Sequence, residues 1–192
     1  MIGTTRAMSL LGVGALLLGS GCASGGSTHY TRPEADLGAI RTVAVLPFSS
    51  LTGDATHADK VERVFQVELL ALGVVDVVES GAVAQLFASG QITSVDTLTP
   101  GDLQRIGAEL GADGLFLGTV VDFAEVRTGS TPAPEVTLQL RLVESASGLT
   151  AWESSQGRRG PNVRSRLFGF GGDSLTEVAR KLIREQLGTL IE

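Results

Sequence analysis

The spacing of apolar positions divides residues 41–190 into nine elements. RTVAVLPF, residues 41–48, is a short β-branched run closed by Pro47, the pattern of a buried strand. Residues 57–72 set Val61, Val64, Phe65, Leu69 and Leu72 on one helical face, with Asp59, Lys60, Glu62 and Arg63 elsewhere, and Gly73 stops the helix. VVDVVE, residues 74–79, predicts a second strand, and Ser80 caps a short helix through AVAQLFAS. After a polar loop over 90–98, Thr99-Pro100 supplies a cap and a first-turn proline for a helix through Leu110, ended by Gly111. GLFLGTVVDF, residues 114–123, is the most apolar run and predicts a central strand. VTLQLRLVE, residues 136–144, alternates strictly: Val136, Leu138, Leu140 and Leu142 face one way, Thr137, Gln139 and Arg141 the other. Ser147-Gly148 turns the chain into LTAWES, its hairpin partner. Ser174-Leu175-Thr176-Glu177 is a capping box, and Leu175, Val178, Ala179, Leu182, Ile183, Leu187 and Leu190 line the apolar face of the last helix. The expected class is α/β, a single mixed β-sheet with packed helices in the order β-α-β-α-α-β-β-β-α, its early pairing parallel and its late part a meander.

The first 21 residues follow a different pattern. Arg6 makes the leader MIGTTR positive, AMSLLGVGALLL is an uncharged apolar core, and Gly19, Ser20 and Gly21 precede Cys22. This is the three-part layout of an export signal, and its apolar run is shorter than the roughly 20 residues a bilayer span needs. Leu18-Gly19-Ser20-Gly21-Cys22 resembles a bacterial lipobox, with Gly19 where Leu is commoner. The resemblance implies cleavage before Cys22 and acylation of its thiol, with a palmitate-type chain on the new amino terminus. An ordinary signal peptide with an incidental or buried cysteine is the plainer alternative. Ala23, rather than Asp, implies sorting to the periplasmic face of the outer membrane. The division is then a lipoprotein signal peptide over 1–21, a lipidated cysteine with a flexible tether over 22–40, and one α/β domain over 41–192.

Charge narrows the partners. Arg6 is the leader's only charge, so the mature chain carries 14 Lys plus Arg against 21 Asp plus Glu, a net of −7. A nucleic-acid binder carries a basic footprint, and none is expected here. With Cys22 the only cysteine, no disulfide is available.

VAVLPF, VVDVVES leading into a helix, LGADGLFLGTV and LRLVESASGLTAWES are similar, in order and spacing, to the globular domain of CsgG-like curli-secretion lipoproteins. More loosely, residues 41–190 resemble LpoB-type activators of penicillin-binding proteins and the amino-terminal domain of TolB. The resemblance implies a CsgG-like, anticodon-binding-like fold and an envelope compartment. It leaves activity open, because such folds serve a channel, enzyme activators and accessory lipoproteins.

The channel reading is open to a physical test. A transmembrane β-strand needs about 9–11 residues of alternating polarity. The first candidate insertion, AEVRTGSTPAPE over 124–135, reads as a loop with two prolines and is too short. The second, residues 155–173, carries Arg158, Arg159, Arg164, Arg166 and Pro161 and does not alternate. A pore is therefore not expected.

No catalytic residue is expected either. His29 lies in the tether and His57 at a helix start, outside any nucleophile elbow or metal-ligand pair. Asp54 and Asp59 beside His57 complement a helix amino terminus. No metal and no cofactor are expected.

Functional interest falls on residues 156–173. Four arginines within nine residues, followed by Phe168 and Phe170 in a glycine-rich frame, have the composition of a contact site. The expected partner-binding residues are Arg158, Arg159, Arg164, Arg166, Phe168 and Phe170. A solvated loop whose phenylalanines tuck onto the sheet fits the same composition. The expected role is a non-enzymatic scaffold or accessory factor in envelope assembly or export, with an envelope protein or further copies of itself as partner. Activation of a peptidoglycan synthase is the alternative, and a secretion channel ranks below it.

Overall fold

A computed structural model describes residues 27–90, 92, 94–128, 131–160 and 173–191. One seven-stranded mixed sheet runs through them. In chain order the strands are β1 (Ser27–Thr31), β2 (Thr42–Val45), β3 (Ser49–Ser50), β4 (Asp76–Val77), β5 (Gly114–Thr128), β6 (Thr131–Glu144) and β7 (Leu149–Arg159). The helices are α1 (Ala55–Leu72), α2 (Ser80–Ala88), α3 (Pro100–Leu110) and α4 (Leu175–Gly188), with 3-10 turns at Leu37–Ala39 and Val95–Thr97. The strand order is β1-β7-β6-β5-β2-β4, and β3 pairs with β5. β2 is parallel to β4 and β5, whereas β5, β6, β7 and β1 form an antiparallel series. The expected α/β class and mixed sheet are present, with β1 and β3 added to the expected order.

Local chemistry sets the ends of α1, α3 and α4 near where the sequence predicts them, whereas α2 starts with Ser80 inside the helix, behind Glu79, and has no side-chain cap. Thr99 and Asp102 form a reciprocal capping box on α3, behind Pro100. The Ser174 hydroxyl accepts from the Glu177 amide at the start of α4. Gly73 and Gly111 close α1 and α3 in the left-handed region, at φ 67° and 63°, where a Cβ would be strained.

The two sheet faces are covered unequally. On one, Phe65 and Leu69 of α1 and Leu182 and Ile183 of α4 pack over Phe116, Leu138 and Leu140. Rings of Phe48, Phe65 and Phe116 stack in sequence, with centroids 5.3 and 5.0 Å apart. On the other face, Val83, Leu86, Leu103 and Ile106 of α2 and α3 cover Ala44, Leu46 and Leu115. That second layer reaches only the β2–β5 side of the sheet.

Besides β3, four stretches depart from the sequence expectation. Of VVDVVE, only Asp76–Val77 pairs, as a short edge strand. Residues 27–31, expected within the tether, pair antiparallel with β7 from Ser27↔Gln156 to Thr31↔Trp152. The side chains of residues 28–31 are polar and exposed, so burial does not signal the strand; β7's open row of backbone groups does. Further on, Arg32 pairs with Glu144 at 2.7 Å and Ile40 enters the core.

The other two departures concern β5, β6 and β7. Residues 124–128 and 131–135, expected as a loop, are paired arms of a long β5–β6 hairpin. β7 also runs five residues past LTAWES, to Arg159. The prolines that argue against a strand are tolerated for a reason visible in the ladder. β7 ends opposite Glu135, and Gly160 N–H donates to the Pro134 carbonyl, so residue 134 points its polar groups toward β7's side. Pro134 thus keeps the carbonyl half of its pairing with Gly160, and Pro132, two residues further along the same side, lacks its N–H where β7 has already ended.

Candidate interaction surfaces

At the hairpin end, β7 finishes with Arg158 and Arg159, register partners of Val136 and Glu135. Arg159 Nη2 lies 2.6 Å and Nε 3.2 Å from Glu135 Oε2. Arg158 pairs with Glu185 of α4, which also accepts from Gln156 Nε2 at 3.3 Å. Beside them Lys181 Nζ sits 2.7 Å from Asp173 Oδ2. Pairs this exposed contribute about 0–1 kcal/mol each. Their larger effect is to offset the two arginine charges and to tie β7 to β6 and α4. Of the six expected partner-binding residues, Arg158 and Arg159 are consecutive on β7 and so leave opposite faces of the sheet, one toward Glu185 and the other toward Glu135. Arg164, Arg166, Phe168 and Phe170 lie outside the described residues, as does Cys22.

A second surface is the sheet face left bare by α2 and α3. Register aligns Tyr30, Glu153, Arg141 and Leu117 in one row across four strands, and Thr28, Ser155, Gln139 and Thr119 in the next. Gln139 Nε2 donates to Glu153 Oε1 at 2.5 Å. Tyr30 is 51% exposed. Arg141, Gln139 and Glu153 edge a cleft of about 290 Å³ that Asp96 and Leu98 close from the other side. This face suits polar, hydrogen-bonding contact.

The third surface is apolar and lies at the opposite end of the sheet from the hairpin. Leu37, Val74, Val75, Leu142, Leu190 and Ile191 line a cavity of about 390 Å³ there, with Arg41 at its edge. Val74 and Ile191 are half exposed, and Val67 and Leu70 extend the apolar surface along the outside of α1. Sequence reasoning assigned α1 a single apolar face and missed this one. Val67 and Leu70 stand at i and i+3 on α1, a short apolar pair that the stronger core stripe masks, and Val74 follows just past the Gly73 cap.

Between these surfaces the polar groups hold the fold. Asp54 caps α1 by accepting from the Thr56 amide at 2.8 Å, and its carboxyl is held below its ordinary value by hydrogen bonding to the Thr56 side chain first and to that amide second. His57 stacks on Phe123 with centroids 4.9 Å apart, its Nε2 3.5 Å from Asp54 Oδ2. Asp113, in the LGADG segment, accepts from the backbone of Thr42 at 2.9 Å and Arg41 at 3.0 Å. Those amides hold its carboxyl low and join the start of β2 to the start of β5. Glu68, almost fully buried on α1, receives Arg184 of α4 at 2.5 Å and Arg180 at 3.3 Å. Among the described residues, no three His, Cys, Asp or Glu side chains cluster as a metal site, and no helix is long and apolar enough to cross a membrane.

No protein-family model and no curated protein matches this chain. Solved structures do match. PelC from Paraburkholderia phytofirmans, a dodecamer, aligns over 86% of this chain and 96% of its own at 20% identity and a TM-score of 0.60. Lipoprotein GNA1162 from Neisseria meningitidis aligns over 79% and 98% at 16% identity and a TM-score of 0.57. The LpoB C-terminal domain from Escherichia coli aligns over 62% and 82% at 16% identity, and its TM-score of 0.43 is too loose to carry an argument. The finer resemblance to CsgG-type proteins rests on the sequence motifs alone. At these identities the common property is the fold: this chain shares the mixed-sheet architecture of PelC and GNA1162 across most of its length.

Proposed function

We propose that this chain is a lipoprotein anchored through Cys22 to the periplasmic face of the outer membrane, where it acts as a non-enzymatic, self-associating accessory factor in envelope assembly or export. The observation that carries the reading is the fold match, across 86% of the chain, to a protein that assembles as a dodecamer. The lipobox-like segment and the fold shared with lipoprotein GNA1162 support the anchor. The apolar stripe on α1, with the cavity beside it, supplies a surface of the kind that copies bury against one another. The polar groups support a structural rather than a chemical role: His57 packs on Phe123, and Asp54 and Asp113 cap backbone amides.

A channel of the curli type is poorly supported. The β5–β6 arms beyond Phe123 and Val136 are five residues each, about half of what a membrane-spanning strand needs, and they carry Glu125, Arg127 and Glu135. The test of the main reading is crosslinking of the full chain in membranes, with fractionation of the envelope and labelled palmitate in the growth medium. A palmitate-labelled, membrane-bound species of fixed stoichiometry is expected. An unlabelled protein that fractionates freely, or a labelled one that crosslinks only as a monomer, overturns the anchor or the self-association respectively.

A further inference from the structure

From the two ends of α1 we infer that copies of this chain join head to tail, the Leu51 side chain of one copy seated in the apolar cavity beside Val74 of the next. The inference rests on the self-association reading above and names its contact. Leu51 stands three residues before the Asp54 cap of α1, and Val74 one residue past the Gly73 cap. Eighteen residues of helix separate the two, about 27 Å at helical rise. A copy therefore does not fill its own cavity with its own Leu51, and the two features meet only between copies. Such a contact uses a different patch on each partner, so every pair keeps one knob and one cavity unused. Addition continues, and it stops at a fixed number when the rotation closes a ring.

Leu51 is 72% exposed, yet its backbone is fixed. Its N–H donates to the Val120 carbonyl at 2.9 Å, directly after the Ser50↔Val120 pair of β3 and β5. The hydroxyls of Ser50 and Thr52 lie 2.8 Å apart, and Gly53, at φ 77°, turns the chain into the cap of α1. A side chain presented on an ordered turn loses little freedom when it docks. The cavity, about 390 Å³, is walled by Val74, Val75, Leu142, Leu190 and Ile191, so it offers a leucine apolar contact on several sides. Charge at the two ends is complementary as well. Asp54 and Asp96 are exposed on the Leu51 side, Asp96 across a cleft that Ser50 and Gly53 line. Arg41 is exposed at the cavity's edge and has no carboxylate partner among the described residues. Opposite charges at the two ends steer knob toward cavity and disfavour knob against knob.

The experiment uses the full chain with two different tags, extracted from membranes in mild detergent and sized after crosslinking. Leu51→Asp and Val74→Asp should each reduce the crosslinked assembly to monomer at a urea midpoint close to the parent's, because both side chains already face solvent. Leu51→Met should keep the assembly. An equal mixture of the two Asp variants retains one sound knob and one sound cavity, on different copies. It should therefore give a heterodimer bearing both tags and nothing larger. A parent that assembles, with Leu51→Asp assembling as well, overturns the inference and leaves self-association standing. A mixture that stays monomeric, or that rebuilds the full assembly, overturns the head-to-tail contact. If Leu51→Asp lowers the midpoint, Leu51→Ser takes its place and is read in the same way. A parent found only as a monomer removes the self-association reading and this inference with it.

Discussion

Gly118 and Phe48 show how much of this fold turns on single atoms. A Cβ at Gly118 would lie 2.4 Å from the Phe48 ring, which itself stacks on Phe65 in the main core. With Phe65 against it, the ring must shift to admit the methyl group, so Gly118→Ala is expected to cost about 1–3 kcal/mol through overpacking. Urea denaturation checks it, and pairing the change with Phe48→Leu should recover part of the loss. Asp113 carries a pH signature. Its folded carboxyl is held below its ordinary value by the Thr42 and Arg41 amides, so the stability it contributes is present above the unfolded carboxylate value and lost as pH falls through the folded one. Asp113→Asn should therefore shrink the fall in urea midpoint below about pH 4. Glu62 works the other way: burial holds its carboxyl above the ordinary value, so its ionisation costs stability as pH rises through the carboxylate range. Gln186 was the least legible residue. It falls on the apolar face of α4, fully buried, where its Nε2 donates to the Leu138 carbonyl at 3.1 Å and to Ser154 at 3.3 Å. A glutamine within an apolar stripe carries no sequence mark of that role.

Elements with strong periodicity or strong caps were legible, and those held by backbone pairing alone were not. α1, α3 and α4 begin and end within two residues of where Gly73, the Thr99-Pro100 pair and Ser174 put them. The alternation of Val136, Leu138, Leu140 and Leu142 reads directly onto the core face of β6. β1, the hairpin arms and the end of β7 escaped detection because polar, charged, glycine or proline residues dominate them. Their partners lie more than a hundred residues away for β1, so local pattern holds no trace of them. Within the candidate sites, only Arg158 and Arg159 could be placed from both sequence and structure, and their carboxylate partners come from β6 and α4, which proximity in sequence does not reveal. Pro132 gives an element-scale prediction. Replacing Pro132 with Thr restores an N–H donor to β6 on the side where β7 has ended, and light scattering of the soluble domain should then show concentration-dependent association that the parent lacks.

At the scale of the molecule the surfaces are distributed along one axis. Arginine pairs and the hairpin occupy one end, the apolar cavity and the α1 stripe reach the other, and the bare polar face lies along the flank between them. If copies associate through α1, Leu70→Asp should abolish the crosslinked assembly while leaving the denaturation midpoint of the isolated domain nearly unchanged, because Leu70 is already 59% exposed. A fall in midpoint would instead mean that the residue supports the core. The attachment of β1 to β7 also determines how the domain bears a load. Tension applied at the amino-terminal end of β1 along the strand axis strains the five cross-strand pairs from Ser27 to Thr31 simultaneously. Ladder bonds stressed side by side in this way resist far better than bonds parted one after another. Drag on an assembly held at that end would be carried by the sheet itself, leaving the helices unstressed.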